Sequence, residues 1–258
     1  MKSFSLFALT LAAVAIAAPT TANEPATQLN AGEYILVNGD HHEVINETRL
    51  NEYLEKEGIL REPPPVDAEW LKFTPDAEAL ANLTKLEARQ ASCQHTVSII
   101  QDKKQRFTDW DVQMSSVVIG AGRSGIQFTV DNGWSVSNAV TVSAGLDLGV
   151  VKERVGATLG INYSKTWTSS FTERYTITVN EGEAGVWTSQ PWTNRVYGRT
   201  FRGCPGSLVQ TGTWMADSRE DGQYFGHKWV SGYISACIKK VPRGRGGLTR
   251  CHGSGEFK

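Results

Sequence analysis

The sequence predicts a mostly β protein: an elongated antiparallel sheet or sandwich held by disulfides, preceded by a small acidic segment with short helices. Three observations carry this. Residues 90–258 are rich in Val, Thr, Ser, Tyr and Gly, and few runs have a helical period. Between 134 and 179 apolar and polar residues alternate over two long stretches. All four cysteines, Cys93, Cys204, Cys237 and Cys251, lie beyond residue 90.

The chain opens Met1-Lys2, continues with an apolar run from Phe4 to Ala17, and places Ala15-Ile16-Ala17 before Ala18-Pro19. A positive start, a short apolar core and small residues before a cut describe a secretory signal peptide, residues 1–17, cleaved after Ala17. The run is too short to span a bilayer, so the protein is expected outside the cell. Three N-x-S/T triplets, at Asn46, Asn82 and Asn162, fit that route as glycosylation candidates. An even cysteine count in an oxidising compartment implies two disulfides. Neither C-x-x-C nor H-x-x-x-H spacing is present, so no metal site is expected. Ser207–Ala216 and His227–Ile238 read as two strands around a polar loop, Asp217–Gly222. That pairing brings Cys237 to Cys204 and leaves Cys93 for Cys251.

Composition changes near residue 90. Residues 18–89 hold 14 acidic and 6 basic side chains, a net of −8; residues 90–258 hold 13 and 19, a net of +6. The early segment contains one expected strand, Tyr34–Val37, and a helix over Glu47–Glu57. A second helix starts at Thr74-Pro75-Asp76, where a cap residue, an early proline and an acid coincide, and runs to Arg89. A basic residue at this break marks a kexin-type processing site. Residues 18–89 would then be an acidic pro-segment able to mask a basic mature domain, which would begin at Gln90, a residue able to cyclise. Residues 90–258, with seven of the eight tryptophans, are long enough for one domain with a real core.

The stretch Val117–Gly125, VVIGAGRSG, has the spacing of a dinucleotide-binding turn. Such a turn needs a helix directly after its glycines. Here Ile126-Gln127-Phe128-Thr129-Val130 alternates as a strand, so Gly120–Gly125 is expected to be a loop between two strands, and no cofactor is expected.

Residues 134–171 form the expected functional element, an amphipathic hairpin. Val140, Val142, Ala144, Leu146, Leu148 and Val150 occupy even positions; after Val151-Lys152-Glu153-Arg154 the apolar set moves to odd positions, Val155, Ala157, Leu159, Ile161 and Tyr163. A four-residue tip would oppose Val150 to Val155, Leu148 to Ala157 and Leu146 to Leu159, giving one continuous apolar face. The other face is Gly, Ser, Thr and Asn. Asn138 and Lys165 interrupt the rows at comparable depth, leaving about 9–11 residues per strand, the length of a tilted membrane-spanning strand. Trp134 and Trp167 would sit near the interface. A soluble sheet with one buried face alternates in the same way.

These strands, with Tyr175-Thr176-Ile177-Thr178-Val179 and Gly182-Glu183-Ala184-Gly185-Val186 after them, resemble the stem region of aerolysin-type β-pore-forming toxins over roughly Trp134 to Gly198. The resemblance implies an elongated β domain, a hairpin folded down in the soluble form, and a homo-oligomer on activation. The region from Cys93 onward is also similar to secreted proteins of filamentous fungi regarded as candidate effectors.

No G-x-S-x-G, H-E-x-x-H or P-loop appears. Asp109-Trp110-Asp111 and the cluster Asp217, Glu220, Asp221 read as turns rather than paired catalytic carboxylates. Lys239, Lys240, Arg243, Arg245 and Arg250 read as a solvated basic tail, and nucleic acid is not expected as a partner. No catalytic residue is expected, and the protein is read as no enzyme. The first functional reading is a secreted protein acting on host or competitor cells by binding or perforating membranes, its partner a lipid or a cell-surface receptor. The alternative is a non-enzymatic effector binding a host protein or glycan through a disulfide-stabilised β-sandwich.

Overall fold

The computed structural model describes residues 26–89, 96–204, 206–241 and 247–258. The described chain begins with β1 (Thr27–Gln28), β2 (Glu33–Asn38), β3 (His41–Asn46), α1 (Glu47–Lys56), α2 (Ala68–Leu71) and α3 (Ala77–Arg89). It continues through β4 (Thr96–Thr108), β5 (Val112–Gln113), β6 (Val118–Ile119), β7 (Ile126–Val130), β8 (Ser135–Ser137), β9 (Ala139–Val142) and α4 (Leu148–Leu159). The rest is β10 (Thr166–Thr168), β11 (Thr172–Val179), β12 (Glu183–Gly203), β13 (Val209–Arg219), β14 (Asp221–Tyr224), β15 (His227–Val230) and β16 (Gly232–Lys240). The fold is mostly β, in several largely antiparallel sheets, as composition and alternation predict.

The 21-residue strand β12 organises the molecule; at about 3.3 Å per residue it is about 70 Å long. Glu183–Pro191 pairs with β16, and the remainder pairs with β4 on one side and β13 on the other. Pro191 sits at the handover. It donates no N–H; its carbonyl accepts from the Asp109 amide at 2.8 Å, and the Trp192 amide donates to the Ser231 carbonyl at 3.0 Å.

Around the first half, the sheet β3-β2-β16-β12 faces the three-stranded sheet β1-β11-β7. Ile35, Val37, Phe128, Ile177, Val179, Trp187, Trp229 and Ile234 fill the space between. The opposite face is closed by α1, whose Leu50 and Leu54 join Leu36, Ile45, Ile59, Trp192 and Tyr233. Asn46 caps α1 by accepting from the Arg49 amide at 2.9 Å. The expected strand 34–37 and helix 47–57 are therefore present, and β3, unforeseen, pairs with β2. The second helix begins at Ala77, where Asp76 accepts from the Glu78 amide at 2.9 Å.

The acidic segment is built into the body. β2 pairs with β16 and β1 runs parallel to β11, while α2 crosses β13, with Thr213 Oγ1 donating to the Trp70 carbonyl at 2.5 Å. Its ion pairs Arg49–Glu52, Arg61–Glu47 and Lys72–Glu69 close within the segment. Backbone ladder and apolar packing bind it to the body.

The G-x-G motif is a loop between β6 and β7, as expected. A side chain at Gly120 would strike the Asn180 carbonyl, 1.9 Å from its Cβ position; the glycine lets two backbones touch. The expected disulfide pairing is wrong. Cys237 bonds Cys251, with Cα atoms 5.7 Å apart. Residues 217–219 belong to β13, and β14 pairs with β15 across Phe225-Gly226, so Asp217–Gly222 is no hairpin loop. β16 lies on β12 instead, which sets Cys237 opposite Val186. Cys204 follows the far end of β12, about 60 Å along the strand, beyond any disulfide span. With Cys251 taken, Cys93–Cys251 is excluded. Cys204 is disulfide-bonded; Cys93, Gln90 and the signal-peptide residues through Ala17 lie outside the described residues.

Cleavage after Arg89 should therefore leave residues 26–89 attached without a covalent link. The two pieces are expected to co-elute in native size exclusion and separate only in denaturant; a segment eluting alone without denaturant contradicts this. Leu50→Ala, at a fully buried site, should lower stability by about 2–5 kcal/mol.

Candidate functional site

The two arms of the expected hairpin meet only at their base. β8 and β10 are antiparallel, with Ser137 opposite Thr166, Val136 opposite Trp167 and Ser135 opposite Thr168. The Asn138 amide then donates to the Lys165 carbonyl at 3.1 Å, so the two interruptions of the apolar rows face each other. This register is shifted by two residues from the expected one, which would oppose Asn138 to Trp167. Beyond Asn138 the arms part. β9 pairs with β13, Val140 opposite Ala216 and Val142 opposite Trp214.

The rest of the expected hairpin is a helix. Leu148, Val150, Val155 and Leu159 lie in α4, Leu146 precedes it, Ile161 and Tyr163 follow it, and the predicted tip Lys152–Arg154 sits at mid-helix. Two caps explain this. Asp147 accepts from the Val150 amide at 2.9 Å, and Gly160, at φ 68°, closes the C-terminus. Val155 and Leu159 of the alternating row are four residues apart, and Val151 of the expected tip lies four before them, so the three form one helical stripe. Val151 and Val155 are buried with Tyr163, Val196, Trp214 and Ala216, and Val140, Val142, Leu146, Leu159 and Ile161 pack around them. Burial pushes the Tyr163 phenol up to about 12. Leu148 and Val150 are left 48 % and 43 % exposed.

The helix is poor in its own right. Gly149, Val150, Val151, Val155, Gly156 and Thr158 are glycines or β-branched residues. Each glycine costs a helix interior about 1 kcal/mol relative to alanine, and β-branched residues about half that. Tertiary packing and the caps hold α4. The core beneath is imperfectly satisfied, since the Trp214 indole N–H is buried without a partner.

The arm is tied to the body at two points. The buried Asn138 side chain donates to the Asn162 carbonyl at 2.9 Å and accepts from the Arg219 amide at 2.8 Å. Asp221 accepts from Lys165 Nζ at 2.6 Å and from Trp167 Nε1 at 2.8 Å. Those bonds, Lys165 first and then Trp167, hold the Asp221 carboxyl below the usual carboxylate range. Arm and body leave an open cleft of about 750 Å³ between them, lined by Lys165, Trp167, Asp221, Gln223, His227 and Lys228. Trp167 is buried in the main core and Trp134 is half-buried, so in this form neither is an exposed interface anchor. The capping roles of Asp147 and Gly160 and the anchoring role of Asp221 were not foreseen. Asp and Gly twelve helical residues apart is a legible helix signal; nothing local marks Asp221.

The carboxylates weighed for catalysis have structural partners. Asp109 pairs with Arg219 and accepts from Thr193 Oγ1 at 2.9 Å. Buried Asp111 accepts from Gln190 and from the His252 amide. Asp217 takes two 2.7 Å bonds from Arg195, and Glu220 accepts from Arg106 and Asn194. Lys239 donates to the Arg250 carbonyl at 2.6 Å, and the Arg250 guanidinium lies 5.0 Å from the Phe257 ring. These two cations therefore fasten the C-terminal segment; Arg243 and Arg245 lie outside the described residues. Among the described residues no group of His, Cys, Asp and Glu could hold a metal, and no helix is long and apolar enough to cross a membrane. Asn46, Asn82 and Asn162 are exposed, and Arg89 ends α3.

Because its folded pKa is lowered, Asp221 contributes fully above the ordinary value of 3.8 and loses that contribution as pH falls through its lower folded value. Near-ultraviolet circular dichroism from Trp167 should stay constant from neutrality down to that ordinary value and change only in stronger acid; a transition near the histidine range would contradict the assignment. No family model matches this sequence, and neither a curated protein nor a solved structure is significantly similar to it.

Proposed function

We propose that the protein is a secreted membrane-perforating protein whose residues 139–164 leave the body and zip into a β-hairpin on a lipid surface. The observation that carries this reading is the β8–β10 ladder, which already has the register such a hairpin needs. Continued upward, it opposes Val140 to Tyr163, Val142 to Ile161, Ala144 to Leu159, Leu146 to Ala157 and Leu148 to Val155. The apolar rows then coincide on one face. Support also comes from α4, a helix weakened by two glycines and four β-branched residues over an unpartnered indole N–H. Moving Lys152 or Arg154 through the bilayer centre costs about 2–4 kcal/mol for each residue. Assembly of several copies, each contributing two strands, would offset that cost and close the sheet edges. In this reading the acidic segment, packed on β16 and β13, holds the soluble form.

The alternative, an effector that binds a host protein or glycan, draws on the burial of Val151, Val155 and Tyr163 as ordinary core.

Dye release from anionic liposomes, before and after cleavage at Arg89, separates the two. Leu148→Asp is the informative variant. Leu148 is half-exposed at the start of α4, where an acid suits the helix dipole, so stability should change by less than about 0.5 kcal/mol. In the hairpin the same residue faces lipid, and leakage should be abolished. Thr158→Ala, on the polar face, should strengthen the helix by about 0.5 kcal/mol and slow leakage. A cleaved wild-type chain that releases no dye from any liposome leaves the effector reading standing.

A further inference from the structure

We propose that Asp221 is the latch that keeps the arm docked, a role that rests on the membrane-perforating reading only for its purpose, not for its existence. Lys165 and Trp167 flank Thr166 at the foot of the arm, just beyond residues 139–164, and both reach the one carboxylate at 2.6 and 2.8 Å. They lie at and just below the top rung of the β8–β10 ladder, where the arms begin to part. Zipping starts there, so a contact at this point decides whether the arm moves.

The latch has a buried side and an exposed side. The Trp167 ring is 5 % exposed and belongs to the main core, so its indole N–H has Asp221 in place of water. The Lys165 ammonium covers that ring from 5.1 Å, and its partner carboxylate opens into the cleft. An exposed ion pair alone would do little. Here the same carboxylate satisfies a buried donor, and removing it strands that donor. Asp221 is itself fixed to the body: it pairs with Val230 in the β14–β15 hairpin, and its carbonyl accepts from Ser231 Oγ at 2.6 Å. The carboxylate therefore joins the foot of the arm to the β14–β15 hairpin of the body. Asp221 acts through Lys165 and Trp167 and is a positioning residue.

The test is hydrogen–deuterium exchange of the full chain in solution, without membrane. In Asp221→Ala, which removes the charge and the acceptor together, amides of residues 163–170 should exchange at least tenfold faster than in the wild type, while β12 and α1 stay unchanged. Asp221→Glu, which keeps the charge and the acceptor, should restore most of the protection. Lys165→Met removes only the exposed partner and should give an intermediate rate; it also keeps the proposal testable if Asp221→Ala fails to fold. Unchanged exchange of 163–170 in Asp221→Ala, or in Lys165→Met where that variant stands in, overturns the latch. Loss of protection spread evenly over the whole chain in every variant also overturns it, since Asp221 would then be an ordinary stabilising residue. Dye release measured on the same proteins judges the membrane reading separately: a faster arm without leakage from any variant sinks the function and leaves the latch.

Discussion

Every layer of this molecule is attached to one strand. β12 is buried along most of its 21 residues, so each polar group it carries inward needs a partner. Gln190 shows how this is met. It is fully buried, donates to Asp111 and to Thr188 Oγ1, and accepts from Ser235 Oγ at 3.3 Å. Asp111 in turn holds the His252 amide, which ties the C-terminal segment to the strand. A little further on, Arg195 lies along the Phe107 ring and pairs with Asp217. Pro191 divides the strand into one half that pairs with β16 and another that pairs with β4 and β13. The two halves hold two kinds of structure: a sandwich closed by paired sheets and α1, and an upper sheet whose one face is covered by α4.

That division separates consistency from conflict. In the sandwich half, local preference and tertiary packing agree: Val, Ile, Trp and Tyr lie in strands and Leu50 and Leu54 in a capped helix. Over the upper sheet they disagree, because α4 carries two glycines and three valines and still folds as a helix. A chain segment that contradicts its own propensities is kept in place by what it touches. The contacts are the caps at Asp147 and Gly160, the stripe Val151–Val155 over Trp214, the Asn138 clasp and the carboxylate of Asp221. The ladder below them has the register of the proposed hairpin.

Much of the fold was legible in the residues. The β class followed from composition and alternation, the helix over Glu47–Glu57 was expected and is present as α1, and the Gly120–Gly125 loop followed from the strand after it. The misreadings share one physical origin, partner choice. Period-two alternation over 140–163 also contains a period-four stripe, and only the surface of β12–β13 decides which is used. Ser207–Ala216 and His227–Ile238 read as neighbours, yet both found β12 first, so Cys237 reached Cys251. The acidic segment looked separable by charge, but charge is blind to the ladder that β2 makes with β16. Asp221 was visible only as one acid among three; its importance comes from Lys165 and Trp167, more than fifty residues earlier in the chain.

The central claim, that 139–164 exchanges a docked helix for a hairpin in the register of β8 and β10, is tested most directly by a cysteine pair at Gly149 and Arg154. Both positions are exposed on α4. In the helix they are five residues apart, about 7.5 Å along the axis and on different sides, which a disulfide does not bridge. In the hairpin they are directly opposed, about 5 Å apart. Mild oxidation should link Gly149→Cys to Arg154→Cys in the cleaved protein on liposomes and leave the pair unlinked in solution. Liposomes that leak while the pair stays unlinked would contradict the account.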